Sequence, residues 1–278
     1  MDAGYVTDYL ETGFAVVRGV FAADEIHELA EAFDRVRAEG MAHRASFRDG
    51  NVLFRLSEDR NLGKVLRMVQ WPSYFEPVFD RFRRDPRMQK ILAPLLGGDL
   101  KQIINQVHWK PPGAAHAEFG YHQDIRFRRP REAYRRPENA YVQTGIAVDP
   151  HGQANGGMVF YPGSHRLGEL SFPQEGAVMD QVARSEDLAA VGLDPDQAVF
   201  LELEPGDVAL WNVFTVHSSG PNLSSGDRRF YVNGYVRAVD CDRGAWTFRN
   251  GRACALGAPV LIHYEDLHRR PWAHYLDD

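Results

Sequence analysis

The chain has 278 residues, of which 44% are hydrophobic and 25% are charged, and its formal net charge is −6. This composition is typical of a soluble globular protein with one large domain or two small ones, and the negative charge argues against nucleic acid or an anionic membrane as a partner. No apolar run approaches the roughly 18 residues of a membrane span. The N-terminus lacks the pattern of a secretory signal, and Cys241 and Cys254 are predicted to be free thiols. We therefore predict a cytoplasmic location.

The N-terminal part predicts one strand followed by a helical layer at about residues 21–97. The run from Phe14 to Val20 is apolar and β-branched, as in a strand. Asp24 is predicted to cap a helix that ends at Gly40. Asp85-Pro86 opens another helix, with a capping carboxylate before a proline at the first helical position. Apolar residues recur at helical spacing in both helices, which indicates packing surfaces rather than a cofactor site.

From residue 101 onward, short strand-like runs alternate with turn signals such as Pro205-Gly206-Asp207. The runs are Gln102 to Trp109, Tyr141 to Asp149, Gly157 to Tyr161, Val199 to Leu203, Val208 to Asn212 and Phe230 to Val236. Many short strands without intervening helices predict a sandwich, barrel or jelly roll. We predict a single domain over residues 1–278, α+β but mainly β, with its β core at about 101–238 and a C-terminal extension at 239–278.

The run Tyr121-His122-Gln123-Asp124 carries the central hypothesis. In an extended strand, His122 and Asp124 point to the same side, because side chains alternate with a period of two. A second histidine from another strand completes two imidazoles and one carboxylate, the ligand set of non-haem Fe(II) oxygenases. His217 follows a strand-like run and is the candidate. A buried hydrogen-bonded His–Asp pair is the alternative.

Arg228 follows His217 by eleven residues across a loop rich in glycine, asparagine and serine. This return is long enough to place the guanidinium on the neighbouring strand, where an arginine can hold a carboxylate with two hydrogen bonds. Arg229 is the alternative, but adjacent strand residues face opposite sides, so only one of the two can enter the site.

These motifs together resemble the phytanoyl-CoA dioxygenase superfamily. The resemblance includes the runs Ala154 to His165, Pro205 to Val208 and His217 to Asn222, in addition to Tyr121-His122-Gln123-Asp124 and Arg228. It extends from the N-terminal strand and helix to about Val236. It implies a double-stranded β-helix, a jelly-roll or cupin-like core with flanking N-terminal helices, and an enzyme that uses Fe(II), 2-oxoglutarate and O2.

The resemblance also implies roles for individual residues. It makes His122, Asp124 and His217 the iron ligands and Arg228 the partner of the distal carboxylate of 2-oxoglutarate. Three further residues are carried over as cofactor-binding or pocket-lining positions: Ser219, His108 and Gln143. His108 falls near a position where related ectoine hydroxylases have an asparagine, so the histidine is a departure from the pattern.

The reaction implied by the resemblance is hydroxylation of an unactivated C–H bond in a small or medium-sized metabolite, with release of succinate and CO2. Desaturation and ring rearrangement are open to the same class of enzyme. Halogenation is disfavoured, because halogenating relatives have a small residue where Asp124 stands. Two alternatives lie outside the family's chemistry: a non-catalytic jelly-roll binding protein and a hydrolase with zinc-activated water, which would not need oxygen.

The loop after the metal motif is rich in arginine, at positions Arg126, Arg128, Arg129, Arg131, Arg135 and Arg136. Such a run is more often a solvated face than a binding site. A second interpretation is that one or two of these groups, or Arg249, meet an acidic substrate, because a positive patch is selective in a negatively charged protein. Residues 256–272 are candidates for a flap or a dimer contact, and both a monomer and a homodimer fit the sequence.

Overall fold

The computed structural model describes residues 4–115, 118–172, 181, 184–257, 270 and 272–276. Six α-helices lie in these ranges: α1 (Gly4–Thr12), α2 (Ala23–Ala42), α3 (Pro77–Arg83), α4 (Pro86–Leu96), α5 (Pro137–Ala140) and α6 (Ser185–Ala190). None of them combines the length and the apolarity needed to cross a bilayer.

Most of the regular structure is β. The described strands are β1 (Phe14–Val17), β2 (Phe47–Asp49), β3 (Val52–Asp59), β4 (Gly63–Gln70), β5 (Leu100–Lys110), β6 (Phe119–His122), β7 (Tyr141–Ala147), β8 (Met158–Phe160), β9 (Val199–Phe200), β10 (Val208–Trp211), β11 (His217–Ser219), β12 (Arg228–Arg237), β13 (Ala245–Arg249), β14 (Arg252–Ala253) and β15 (His274–Tyr275). The prediction of an α+β fold that is mainly β is confirmed.

The strands form two antiparallel sheets in the described part of the chain. The major sheet has the order β1-β10-β7-β12-β5-β4-β3-β2-β15, and β13 also pairs with β5. The minor sheet has the order β6-β11-β8-β9. Buried apolar residues from both sheets pack together in one cluster, which includes Ile104 and Trp211 of the major sheet and Phe160 of the minor sheet. The site described below lies between the two sheets.

The helices cover the outer face of the major sheet. Trp109 on β5 meets Phe33 of α2 edge to face, with ring centroids 5.1 Å apart. Tyr231 on β12 donates its hydroxyl proton to the carbonyl of Phe79 in α3 at 2.8 Å. Because strand residues alternate, their neighbours on these strands face the opposite side, towards the minor sheet. The helices thereby fix which residues of β5 and β12 can reach the site.

Gly145 on β7 shows how closely the inner face is packed. A Cβ at this position would collide with the ring of Phe230 on the adjacent strand β12. Only glycine leaves room for that ring, which lies against His151 with a centroid distance of 4.5 Å. This aromatic ring forms part of the wall of the central cavity.

The predicted helix ends are right for α4 and wrong for α2. The carboxylate of Asp85 accepts the N–H of Arg87 at 2.8 Å and caps α4 as predicted. Helix α2 instead begins after Ala22, whose N–H is bound by the Glu25 carboxylate, and it continues through Gly40 to Ala42. Gly40 is buried against Leu66, and a Cβ there would lie 2.7 Å from Leu66 Cδ2. Its role is close packing of α2 on β4, not helix termination.

Two segments outside the predicted β core also contain strands, and one of them, β3, begins where Val52, Phe54 and Leu56 alternate like a strand in the sequence. Residues 47–70, within the predicted helical layer, form β2, β3 and β4 and extend the major sheet beside β5. The C-terminal extension contributes β13, which pairs with the start of β5. Of the segment predicted as a flap or dimer contact, residues 258–269 and 271 lie outside the described residues.

Candidate metal and cosubstrate site

His122, Asp124 and His217 come together at the edge of the minor sheet. His122 ends β6, His217 begins β11, and the two are paired directly in the ladder. Gln123 keeps an extended backbone, so Asp124 projects to the same side as His122 even though it starts a 3-10 turn. One donor atom from each residue lies within 4.8 Å of the other two, and all three residues are buried. The two-residue spacing of His122 and Asp124 and the pairing of β6 with β11 therefore bring the three side chains together.

Both imidazoles present Nε2 to the centre of the triad. The Nδ1 of His122 lies 2.8 Å from the carbonyl of Gly120, and that of His217 lies 2.9 Å from the carbonyl of Thr215. A carbonyl can only accept, so each Nδ1 carries the proton and each Nε2 keeps its lone pair. The Nε2 atoms lie 3.9 and 3.8 Å from the two oxygens of Asp124.

The site holds its groups in the ionisation states that a metal requires. Burial, with a further contribution from His217, lowers the pKa of His122 to about 3, so this imidazole is neutral at pH 7. Burial alone would raise the pKa of Asp124, but the two histidines, Arg128 and the Trp211 indole bring it below the ordinary value. Trp211 Nε1 donates to Asp124 Oδ2 at 2.8 Å. Two imidazoles and one carboxylate suit Fe(II).

Arg228 begins β12 and is 3% exposed. Its Nη1 lies 2.9 Å from His151 Nε2, and its Nε has no hydrogen-bond partner within the described ranges. Burial lowers its pKa to about 9, which leaves it charged at neutral pH. Arg229 faces the other side, where it forms two hydrogen bonds with Asp149 at 2.8 and 2.9 Å. A buried guanidinium with an unused donor fits the carboxylate of a ligand such as 2-oxoglutarate.

The seven residues predicted for the site all line one cavity of about 320 Å³. They are His108, His122, Asp124, Gln143, His217, Ser219 and Arg228. His108 lies 3.1 Å from Gln106 through Nε2, and burial, with Arg228 as the next cause, lowers its pKa to about 3. Gln143 accepts the hydroxyl proton of Tyr141 at 2.7 Å. The structure brings these residues together, and their individual roles stay predictions.

The arginine-rich loop is largely committed to ion pairs on the surface. Arg129 and Arg131 pair with Glu169, Arg135 pairs with Asp242, and Arg136 pairs with Asp240. Arg128 differs from these four, because it is 2% exposed and lines the cavity near Asp124. Arg249 is not among the cavity-lining residues and lies over the ring of Trp246.

Three residues that contact the site were not singled out by sequence reasoning. Trp211 supports Asp124, His151 contacts Arg228, and Lys110 donates to Ser219 Oγ at 2.7 Å. The sequence contains no partner pattern for His151. Alternation along β5 was a usable signal for Lys110, since it lies two residues after His108.

A buried His–Asp–His triad between two antiparallel sheets defines the class of non-haem iron oxygenases. The sequence profile of the phytanoyl-CoA dioxygenase (PhyH) family matches residues 9–230. The chain therefore belongs to the phytanoyl-CoA dioxygenase family, as the sequence motifs predicted.

Individual proteins agree with this assignment. A probable alpha-ketoglutarate-dependent hypophosphite dioxygenase of Stutzerimonas stutzeri is 28% identical over 235 residues, which cover 83% of this chain and 77% of that protein. The peroxisomal phytanoyl-CoA dioxygenase of Rattus norvegicus is 26% identical over 248 residues, 85% of this chain and 66% of the rat protein. The crystal structure of EctD from S. alaskensis with bound Fe superposes with a TM-score of 0.66 at 20% identity, over 92% of this chain and 86% of that one.

These findings confirm the predicted jelly-roll core and the predicted class of enzyme, an iron- and 2-oxoglutarate-dependent dioxygenase that uses O2.

Proposed function

We propose that this protein hydroxylates an unactivated C–H bond of a small anionic metabolite. When bound, the iron centre with 2-oxoglutarate and O2 supplies the oxidative decarboxylation of the keto acid to succinate and CO2, coupled to insertion of one oxygen atom into the substrate. The observation that supports the proposal best is the buried triad in one cavity with a buried arginine whose Nε has no hydrogen-bond partner among the described residues.

The residues of the chain have separate tasks in this proposal. His122, Asp124 and His217 hold the metal, and Trp211 fixes the orientation of the Asp124 carboxylate through its indole N–H. Arg228 and Ser219 bind the distal carboxylate of 2-oxoglutarate, which sets the direction of the cosubstrate in the cavity. The enclosing apolar side chains, among them Met158 and Val232, exclude water from the reacting atoms.

The charges that line the cavity support an anionic substrate. The described lining residues include three arginines, Arg55, Arg128 and Arg228, but only one carboxylate, that of Asp124. Fe(II), Asp124 and dianionic 2-oxoglutarate together carry a net charge of −1, which Arg228 neutralises. Arg55 and Arg128 then give the remaining space a positive potential, which attracts anions. The hypophosphite in the name of the S. stutzeri relative is itself a small anion.

The decisive measurement of the activity is succinate release from 2-oxoglutarate with Fe(II) and ascorbate, under air and under argon. We expect oxygen-dependent succinate in the wild-type protein and none in Asp124→Ala, because this variant loses the only carboxylate of the triad. Succinate from Asp124→Ala at the wild-type rate would remove this residue from the ligand set. Turnover of a substrate under argon, without succinate release, would support a hydrolase instead.

The substrate class is tested with pairs of metabolites that differ only in a carboxylate and its methyl ester. We expect the acids, not the esters, to stimulate 2-oxoglutarate consumption and to gain one oxygen in mass spectra. Arg128→Gln should raise the KM for the acid about tenfold or more, since hydrogen bonds to charged groups contribute about 1.5–3 kcal/mol. Arg129→Gln is the matched control, because Arg129 is paired with Glu169. Equal stimulation by acid and ester contradicts the anionic class.

We also propose a cytoplasmic location, which the two free cysteines, Cys241 and Cys254, support. Cell fractionation tests it. Sedimentation of the purified protein distinguishes a monomer from a homodimer.

A further inference from the structure

Lys110 is a buried amine at the end of β5, and it lies directly opposite Arg228 in the β5–β12 ladder. The Cβ atoms of such a pair are about 4.5–5.5 Å apart, and like charges at that position repel each other. Burial lowers the pKa of Lys110 well below its ordinary value, with Arg228 and Arg67 contributing further. In the described ranges, no carboxylate forms an ion pair with Lys110 or Arg228. A buried pair of this kind is suited to a ligand that brings negative charge.

Lys110 orients the hydroxyl of Ser219. Its Nζ donates to Ser219 Oγ at 2.7 Å and also to the carbonyl of Gly220. A hydroxyl that accepts from an amine has its own proton available for a different acceptor. Ser219 lines the cavity and Lys110 does not, so the serine is the group through which the lysine acts on a ligand.

His151 performs the equivalent task for Arg228. Its backbone is paired in both directions with Leu203, and its Nδ1 lies 3.0 Å from the carbonyl of Asp149. The carbonyl requires the proton to be on Nδ1, which makes Nε2 an acceptor for Arg228 Nη1 at 2.9 Å. This contact uses Nη1, while Nε has no partner in the part of the chain that the structure describes. His151 is buried, 2% exposed, and lies outside the cavity lining.

We propose that Lys110 and His151 are positioning residues for the distal carboxylate of 2-oxoglutarate, Lys110 through Ser219 and His151 through Arg228. This inference rests on the proposed role of Arg228 and Ser219. Each residue orients one donor, the Ser219 hydroxyl or the Arg228 guanidinium, before the ligand binds. These side chains therefore lose less conformational freedom on binding, and the protein discriminates more strongly between keto acids with and without a distal carboxylate.

The test compares two keto acids of the same chain length. 2-Oxoglutarate has the distal carboxylate and 2-oxovalerate does not. Binding of each to the full chain loaded with Mn(II) is measured by calorimetry without oxygen. We expect Lys110→Met to weaken 2-oxoglutarate about tenfold or more, while 2-oxovalerate changes less than about twofold. Lys101→Met, on the same strand and outside the cavity, is the matched control.

His151 provides an independent test that leaves every formal charge in place. His151→Leu should weaken 2-oxoglutarate about tenfold and spare 2-oxovalerate, because Arg228 loses its acceptor. His151→Gln should restore most of the affinity, since its amide oxygen can accept from the guanidinium. A Lys110→Met substitution in a Ser219→Ala background should have little additional effect, because the lysine then has no hydroxyl to orient.

The possible outcomes distinguish failure of the positioning role from failure of the proposed function. Unchanged 2-oxoglutarate binding in Lys110→Met and His151→Leu, or equal weakening of both keto acids, overturns the positioning role. Failure of the wild-type chain to bind 2-oxoglutarate while it binds Mn(II) contradicts the proposed function itself. The same conclusions can be drawn from His151→Leu and His151→Gln alone if Lys110→Met does not fold.

Discussion

Replacing Arg228 by methionine separates the cost of burying this guanidinium from its use in binding. Arg228 is buried, has no ion pair with a carboxylate among the described residues, and makes one hydrogen bond to His151. Burying an ion costs several kcal/mol, whereas leaving the buried His151 acceptor without a donor costs about 1–3 kcal/mol. We therefore expect the ligand-free variant to be more stable by at least about 1 kcal/mol, a rise in Tm of about 2 °C for a chain of this size.

The effect of the ligand has the opposite sign. At a concentration of 100 times its Kd, 2-oxoglutarate stabilises the wild-type protein by about 2.7 kcal/mol. Removing one partner of a buried charged hydrogen bond costs about 2–5 kcal/mol of binding, so the variant should retain at most about a third of that stabilisation at the same concentration. Thermal denaturation with Mn(II), with and without 2-oxoglutarate, measures both effects in a single assay.

Arg229→Met is the matched control for this experiment. Arg229 is held by two hydrogen bonds to Asp149 and faces away from the cavity. Its removal should lower Tm and leave the 2-oxoglutarate shift unchanged. A lower ligand-free Tm in Arg228→Met would contradict the expected cost of burying the guanidinium. A full Tm shift with 2-oxoglutarate in this variant would contradict the role of Arg228 in binding.

Two further predictions concern hydrogen bonds to a carboxylate, at Asp124 and at Glu25. Trp211→Phe removes the indole donor to Asp124, which should weaken metal binding about tenfold to a hundredfold, and a metal titration with unchanged Kd would exclude this supporting role. The pKa of Glu25 is lowered to about 2, and hydrogen bonding from Arg87 is the largest cause. Because this pKa is lower in the folded state than in the unfolded state, ionised Glu25 stabilises the fold. The stabilisation is fully present above the unfolded pKa of 4.5 and is lost as the pH falls towards 2. Glu25→Gln should therefore flatten that part of the stability curve measured by urea unfolding, with little change in slope between pH 6 and 8; an unaltered acid limb would contradict the assignment.

Local sequence patterns predicted the parts of the fold that depend on near neighbours. The cap and proline of α4 lie side by side at Asp85-Pro86, so the start of this helix could be predicted from two residues. The end of α2 could not be predicted in this way. Gly40 lies inside this helix because it packs against Leu66, which belongs to a strand later in the chain. Strands β2–β4 were obscured for a similar reason, since β4 pairs with β5, β3 with β4 and β2 with β3, and this pairing decides their conformation more than their own weak periodicity does.

Sequence motifs predicted the triad, Arg228 as the arginine that enters the site, and the mainly β class. The spacing of His122 and Asp124 and the alternation of strand residues are local, and His217 and Arg228 were chosen from contiguous motifs that resemble those of the family. The side chains that support the site could be identified only from the fold. Trp211 and Asp124 are 87 residues apart, Lys110 and Ser219 are 109 apart, and His151 and Arg228 are 77 apart. Such contacts are set by the register between strands and the packing of the two sheets, which no local pattern encodes.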